Sequence, residues 1–155
     1  MSKITPPTIL AQNKKAFADF EILEKIEAGI ELTGPEVKSV RQSQTNLKGS
    51  YVEIKNDEAF TKNIHISPYK QAAAQQKEYN PTRKRKLLLQ KNEIYKLENA
   101  LNEQGTTIVP LDFHLKGNRI KLSIGICRGK RKKDRRDELK KKAQNLEIRR
   151  SLKKY

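Results

Sequence analysis

The sequence has few of the residues that mark several common protein classes. It contains one cysteine, two histidines and no tryptophan among 155 residues. A lone cysteine, Cys127, forms no internal disulfide and supplies no cysteine-rich zinc site, and we interpret it as a small core residue. No apolar run, glycine included, exceeds four residues, so no segment is long enough for a membrane-spanning helix. The first residues also lack the apolar stretch of a secretory signal. We therefore expect a cytoplasmic protein.

Residues arranged for catalysis are equally scarce. His65 and His114 lie among apolar neighbours with no evident acidic partner, and we interpret both as structural or exposed. The seven glycines match no phosphate-binding loop, and the carboxylates are scattered rather than paired. No spacing typical of metal ligands is visible. The sequence therefore favours a protein that is not an enzyme and uses no cofactor or metal.

Positive charge is what the sequence has in excess. Thirty-four lysines and arginines face 18 aspartates and glutamates, a formal net charge of +16. Residues 128–155 hold 14 basic and 4 acidic groups, a net of +10, whereas residues 1–127 carry only +6. Such a tail repels itself unless an anion lies against it, and nucleic acid is the natural polyanion. A membrane-surface role is disfavoured because the only aromatic of the tail is Tyr155.

Alternation of apolar and polar residues predicts mainly strands before the tail. A period of two predicts strands near 20–32, 51–54, 60–66, 109–115 and 120–126. Helical spacing predicts a short helix over 35–44 and a longer one over 92–104. Pro110 indicates a strand start or an edge strand. The order is not that of βαβ units, so we expect a small antiparallel β-barrel with inserted helices, and an oligonucleotide-binding (OB-type) barrel is one solution.

The pattern divides the chain into three regions. Residues 1–12 are predicted to be a flexible arm, residues 13–128 the barrel, and residues 129–155 a basic tail. The tail buries too little apolar surface to fold alone, but a polyanionic partner could fold it into a helix. Within the barrel, the basic run over residues 83–86 is expected at a surface edge, where it could contact phosphates.

Seven strings of the sequence resemble those of one family, and they follow the same order. The strings are NKKAFADF (13–20), EAGIELTGPEVKSVR (27–41), SYVEI (50–54), NIHISPY (63–69), PTRKRKLLLQKNEI (81–94), TTIVPL (106–111) and GKRKKDRR (129–136). Together they closely resemble the SsrA-binding protein (SmpB) family, the bacterial partners of transfer-messenger RNA. The resemblance extends from about Asn13 into the tail.

This resemblance implies a fold, a function and partners. The fold would be an OB-type barrel with two to three inserted helices. The protein would be an adaptor that binds the tRNA-like domain of transfer-messenger RNA and delivers it to stalled ribosomes for trans-translation. The tail would enter the empty messenger channel of the 70S ribosome near the decoding centre and become helical there. Elongation factor Tu would join the delivery complex, and the protein would act as a monomer.

The resemblance also implies site residues. Glu27, Leu88 and Lys121 match positions on the RNA-binding face of the family. Basic positions placed near RNA are Lys14, Lys15, Lys38 and Arg41. Tail positions that match ribosome-contacting elements are Gly129, Lys130, Arg131, Lys133, Asp134, Arg135 and Arg136. The chain departs from the family at Lys133, where Tyr or His is common, at His114, where Tyr is common, at Ser43, where Gly is common, and at Lys142-Ala143, in place of an Arg-Asp pair.

Glu27 is unusual among these residues because phosphates repel a carboxylate. We expect it to accept a hydrogen bond from a base or a 2′-hydroxyl, or to orient a nearby cation. Composition alone also allows another ribosome-associated RNA-binding barrel protein, such as a translation factor. A preference for transfer-messenger RNA over ribosomal RNA fragments would separate these two functions. An enzyme acting on RNA would need a convergent acid–base or metal site.

Overall fold

The computed structural model describes residues 8–75, 77–130, 140 and 142–144. The strands with defined bounds are β1 (Thr8–Gln12), β2 (Phe20–Ile30), β3 (Thr45–Asn46), β4 (Tyr51–Lys55), β5 (Glu58–Lys62), β6 (His65–Ile66), β7 (Arg85–Leu88), β8 (Thr106–Lys116) and β9 (Arg119–Gly129). The α-helices are α1 (Lys14–Asp19), α2 (Gly34–Arg41) and α3 (Lys91–Leu101), and a 3₁₀ helix spans Lys70–Gln75.

Seven strands form one antiparallel sheet in the order β1-β8-β9-β2-β7-β5-β4, and β3 pairs with β6 separately. The prediction of a mainly β chain with a few helices is confirmed. The predicted barrel closure is not: among the described residues no ladder joins β4 to β1, although β4 approaches β8. The sheet is irregular at bulges in β2, between Ile22 and Glu24, and in β8, between Pro110 and Asp112. Bulges increase local twist, which curves a sheet without requiring its edges to pair.

The core lies on the inner side of this sheet, where β8 and β9 contribute Phe113, Leu122 and Ile124, all fully buried. Helix α3 packs against β8 and β4 and buries Leu97. Each such side chain stabilises the fold by about 1.5–3 kcal/mol relative to an exposed one. The alternation read from the sequence therefore located most of the core.

The N-terminal region differs from the prediction. Residues 8–12, predicted to be part of a flexible arm, form strand β1, which pairs with β8. Residues 1–7 lie outside the described residues. Pro110 was predicted at a strand start or an edge, but β8 is an interior strand between β1 and β9. Pro110 stands beside the bulge, where the ladder is interrupted and a missing N–H costs least.

Helix α1 was not predicted from the sequence pattern, and Asn13 explains its position. The Asn13 side chain accepts a hydrogen bond from the Ala16 N–H at 3.1 Å, which caps the helix. Its amide donates to the carbonyls of Leu47 (3.1 Å) and Pro110 (2.9 Å). One buried side chain therefore both starts α1 and fixes it to the sheet.

Helix α2 begins as predicted and ends earlier. Thr33 and Glu36 form a reciprocal capping box, and Pro35 fits the first turn. The helix ends at Arg41, and Ser43 follows in the left-handed region with φ of 59°. Glycine adopts that conformation most readily, so the backbone is strained at Ser43, and nothing in the structure explains the serine.

The basic run over residues 83–86 does not lie wholly at the surface, so the prediction is wrong for Arg85. Arg85 is 0% exposed, and its Nε donates to a carboxylate oxygen of Glu36 at 2.7 Å. Arg83 contacts the same carboxylate. Lys84 and Lys86 do lie at the surface, one over the Phe60 ring and the other 3.3 Å from Glu58. We call Glu36, Tyr79, Arg83 and Arg85 the buried arginine cluster.

Among the described residues, no helix is both long and apolar enough to cross a membrane.

Candidate nucleic-acid interface

One face of the sheet brings together three of the predicted site residues. Gly29 of β2 lies opposite Lys121 of β9 on one side and Leu88 of β7 on the other. Glu27 is two residues earlier on β2 and therefore lies on the same face as Gly29. These four residues line a cavity of about 530 Å³, which we call the Gly29 groove.

Gly29 allows β2 and β7 to approach closely. A Cβ at Gly29 would lie 3.1 Å from the Cβ of Leu88, tighter than normal packing. Gly29 is not part of the bulge of β2, which lies between Ile22 and Glu24. The glycine instead makes room beside Leu88, which stays 52% exposed despite being a large apolar residue. An exposed leucine beside a lysine suits contact with a base or a ribose.

Two neighbours on β8 hold the carboxylate of Glu27. Its Oε2 lies 2.9 Å from Nε2 of His114, and its Oε1 accepts from Nζ of Lys116 at 3.2 Å. The His114 hydrogen bond lowers the pKa of Glu27, partial burial opposes this change, and Lys116 lowers the pKa further. Glu27 is therefore an anionic acceptor at neutral pH even on a basic protein.

His114 has acidic partners, so the interpretation that it had none is wrong. Its Nδ1 lies 2.8 Å from Oδ1 of Asp112, and its side chain is 5% exposed. The sequence held a signal for the first partner, because Asp112 is two residues earlier and residues i and i+2 share a strand face. The second partner, Glu27, depends on the order of β8, β9 and β2 in the sheet, which the alternation does not give.

The basic residues placed near RNA occupy two regions. Lys38 and Arg41 lie on α2, which follows the Gly29 end of β2. Arg41 donates to the carbonyl of Asn118 at 3.0 Å, in the turn that precedes Lys121. Lys14 and Lys15 lie on α1, which precedes the first residue of β2, at the end of that strand away from Gly29. The structure does not bring these two lysines to the groove.

The tail leaves the sheet beside α1. Gly129 pairs with Phe20, and the next backbone N–H, of Lys130, donates to the carbonyl of Asp19 at 3.1 Å. Nζ of Lys130 donates to the carbonyl of Phe17 at 3.3 Å. Gly129 comes eight positions after Lys121 on β9, which corresponds to roughly 25 Å of strand. The groove and the tail exit therefore lie at opposite ends of the sheet.

The other tail residues fall mostly outside the described part of the chain. These are Arg131, Lys133, Asp134, Arg135 and Arg136. Residues 140 and 142–144 have helical backbone.

Within the described residues, no group of three or more histidines, cysteines, aspartates and glutamates could hold a metal ion. Cys127 is fully buried, and burial raises the pKa of its thiol to about 11, so it is a core residue as predicted.

Comparisons with known proteins identify the family. The family model described as "SmpB protein" matches residues 10–154. An SsrA-binding protein of Clostridium botulinum is 49% identical over 153 residues, covering 99% of this chain and 97% of that one. One of Levilactobacillus brevis is 46% identical over 154 residues, with the same coverage of each chain.

A solved structure described as "tmRNA-SmpB: a journey to the center of the bacterial ribosome" matches with a TM-score of 0.61 and 33% identity. The match covers 88% of this chain and 95% of that one. The family match and both relatives extend over almost the whole sequence, so they include the strands of the groove and the tail. The chain therefore belongs to the SmpB family of SsrA-binding proteins.

Proposed function

We propose that this protein is an RNA-binding adaptor for ribosome rescue. It binds the tRNA-like domain of transfer-messenger RNA and delivers it, with elongation factor Tu, to stalled ribosomes in the cytoplasm for trans-translation. It does so as a monomer and without catalysing a reaction. The observation that carries the proposal is the convergence of Glu27, Leu88 and Lys121 around Gly29, in a chain of this family.

The three side chains of the groove supply different kinds of contact. Lys121 attracts phosphates, which gives affinity but no selectivity. Leu88 offers an apolar surface for a base or ribose. Glu27 accepts from a base amino group or a 2′-hydroxyl, contacts that depend on base identity or on the sugar. Selectivity for a folded RNA therefore rests on Glu27 and Leu88 more than on the lysine.

The other basic residues extend this surface in two directions. Lys38 and Arg41 continue it along α2, on the groove side. Lys14 and Lys15 lie near the tail exit, where they bind RNA on the ribosomal side of the complex together with Gly129 and Lys130. The tail elements Arg131 and 133–136 contact the decoding centre and the messenger channel, where the tail after Lys130 becomes helical. Gly129, predicted as the first residue of the tail, is instead the last residue of β9.

The curved sheet is proposed to be of the OB type. The support is its antiparallel order, its bulges and the approach of β4 to β8, which brings the two ends of the sheet near each other without a ladder. In OB-type folds one face of the barrel binds oligonucleotides. The Gly29 groove lies on such a face.

A competition experiment tests the function. Labelled transfer-messenger RNA would be bound at several salt concentrations and challenged with excess transfer RNA and ribosomal RNA fragments. We expect binding that survives physiological salt and resists both competitors. Leu88→Ala and Lys121→Ala should each weaken binding about tenfold, in the range of single stacking and phosphate contacts.

Lys62→Ala is the matched control. Lys62 lies at the end of β5 remote from Leu88, and its exposed pair with Glu53 is worth little, so affinity should change less than about twofold. Equal binding of all RNAs that disappears with salt would overturn the proposal. It would leave non-specific phosphate contact and favour a different ribosome-associated RNA-binding protein.

Gly29→Val tests whether the groove depends on the missing side chain. A valine would push Leu88 away from its position, since even the first added carbon lies 3.1 Å from the Leu88 Cβ. We expect a loss of affinity close to that of Leu88→Ala, about tenfold, and no further loss when the two changes are combined. Gly34→Val is the control because nothing lies within 4 Å of its added Cβ. Normal RNA binding by Gly29→Val would show that the position of Leu88 is unimportant.

A further inference from the structure

We propose that His114 is a positioning residue for RNA recognition, which holds the carboxylate of Glu27 in the orientation that receives the RNA. The inference rests on the proposed function, since it concerns the same groove. His114 does not line the groove itself. It acts through Glu27, its partner across β9.

The ring of His114 is fixed at both nitrogens. Asp112 lies 2.8 Å from Nδ1, Glu27 lies 2.9 Å from Nε2, and the Ser123 hydroxyl is 3.4 Å from Nδ1. Each ring nitrogen therefore lies within hydrogen-bond distance of one carboxylate, so the ring is held between Asp112 and Glu27. The ring is also buried, which leaves it little freedom to turn. Asp112 therefore orients His114, and His114 orients Glu27.

His114 is the rigid partner of Glu27, and Lys116 is the mobile one. The Lys116 side chain is 69% exposed and contacts Oε1 at 3.2 Å, whereas the His114 side chain is 5% exposed. Together they bind both oxygens of Glu27 from the β8 side. Each carboxylate oxygen has further acceptor capacity, and this remains for a donor in the groove that Glu27 lines.

Holding Glu27 in advance should raise RNA affinity. A glutamate that is ordered only on binding loses rotamer freedom at that moment, whereas one ordered beforehand does not. The difference is worth about three- to tenfold in affinity per side chain. The hydrogen bond between the buried His114 and the partly exposed Glu27, on the outer face of the sheet, supplies this order before RNA binds.

A double-mutant cycle tests the inference. The affinity of full-length protein for the tRNA-like domain would be measured for the parent, Glu27→Gln, His114→Phe and the double variant, at one pH and salt concentration. Each variant would first be shown to be folded by circular dichroism. We expect each single change to weaken binding about tenfold and the double change to weaken it no further, because His114 acts only through Glu27. A merely structural role would make the two losses multiply to about one hundredfold.

Three further variants sharpen the result. His114→Tyr, which restores a hydroxyl donor, should bind within about threefold of the parent. Asp112→Asn changes the hydrogen bond to the far side of the ring, so it should weaken binding about threefold in the parent but not in Glu27→Gln. Asp112→Asn takes the place of His114→Phe in the double-mutant cycle if His114→Phe does not fold. His65→Phe, at the exposed histidine of β6, is the control and should leave affinity unchanged.

The outcomes separate this inference from the proposed function. Parent protein that does not prefer the transfer-messenger RNA domain contradicts the proposed function itself. Parent protein that prefers it, with either His114→Phe at parental affinity or multiplied losses in the double variant, overturns only the role of His114. If Glu27→Gln binds RNA with the affinity of the parent, the role of His114 is likewise overturned. The affinities of Leu88→Ala and Lys121→Ala still test whether the groove binds RNA.

Discussion

Replacing Glu36 with glutamine is expected to lower the free energy of unfolding by about 3–5 kcal/mol, because it leaves two arginines without their counter-charge. The Glu36 side chain is 1% exposed and contacts Arg83 and Arg85. It also accepts from the Tyr79 hydroxyl at 2.9 Å. Removal of one partner from such a buried group costs far more than removal of an exposed pair.

The cost is large because the cluster joins distant parts of the chain. Besides Glu36, the Arg85 guanidinium donates to the carbonyls of Ile64 (2.8 Å) and Pro81 (2.9 Å) and to the Tyr79 hydroxyl (2.9 Å). These contacts fix α2 and the segment before β7 around one side chain. Since β7 has only four residues, the position of Arg85 also determines where Leu88 emerges in the groove.

Urea denaturation of the parent and Glu36→Gln would measure the loss. Glu53→Gln is the control, because the Glu53–Lys62 pair is exposed at 3.4 Å and should contribute less than about 1 kcal/mol. Similar small losses in both variants would mean that the buried cluster stabilises the fold no more than a surface pair does.

Glu36 is also expected to make the stability of the protein depend on pH. Burial by itself raises the pKa of Glu36, but hydrogen bonds from Arg83, the Thr33 N–H and Arg85, with the charge of Arg85, lower it from 4.5 to about 2. The stability that the ionised carboxylate adds is therefore fully present above pH 4.5 and is lost as the pH falls toward 2. The loss should be about 3 kcal/mol in the parent. Glu36→Gln should show a flatter dependence over that range, which unfolding at a series of pH values would measure.

Short-range patterns account for the part of the fold that the sequence predicted. The hairpin of β8 and β9 and the strand β2 follow from alternation within a dozen residues, a signal that needs no knowledge of partners. The buried arginine cluster needs such knowledge, because Arg85 meets a carboxylate 49 residues earlier. A basic run looks the same in sequence whether its charges face water or a buried acid. Burial of Arg85 could therefore not be predicted from local composition.

For the candidate site, too, short-range patterns and strand order have to be distinguished. Resemblance to the family supplied Glu27, Leu88 and Lys121, and physical reasoning supplied only the kind of contact that each would make with RNA. They lie together because Gly29 pairs with both Leu88 and Lys121, which depends on the strand order β9-β2-β7. His114 was missed because its partner Glu27 lies across β9, 87 residues away in the chain.

Removal of residues 131–155 is expected to spare binding to free transfer-messenger RNA and to abolish rescue of stalled ribosomes. The cut falls after Lys130, so the backbone bond to Asp19 that ends the sheet is retained. The Gly29 groove lies at the other end of β9, roughly 25 Å from the cut. The deleted segment carries 12 basic and 4 acidic residues, so its removal is expected to weaken mainly contacts with a polyanion such as ribosomal RNA.

Two measurements on the truncated protein would test this separation. At physiological salt, its affinity for the free RNA should remain within about threefold of the parent, because groove contacts persist while non-specific phosphate attraction is screened. Tagging of a peptide on ribosomes stalled at the end of a broken message should fall to background. At low salt the truncated protein should bind free RNA more weakly, since fewer counterions are released.

A full-length variant distinguishes the sequence of the tail from its charge. Replacement of Asp134, Arg135 and Arg136 with alanine lowers the net charge by only one, so a tail that acts through bulk charge would still support tagging. A tail that makes defined contacts in the decoding region would not. The separation of roles is contradicted if the truncated protein, still folded, loses free-RNA binding at physiological salt, because the tail would then be the principal RNA site. Retention of tagging after truncation would also contradict the separation of roles, since the groove alone would then suffice for delivery to the ribosome.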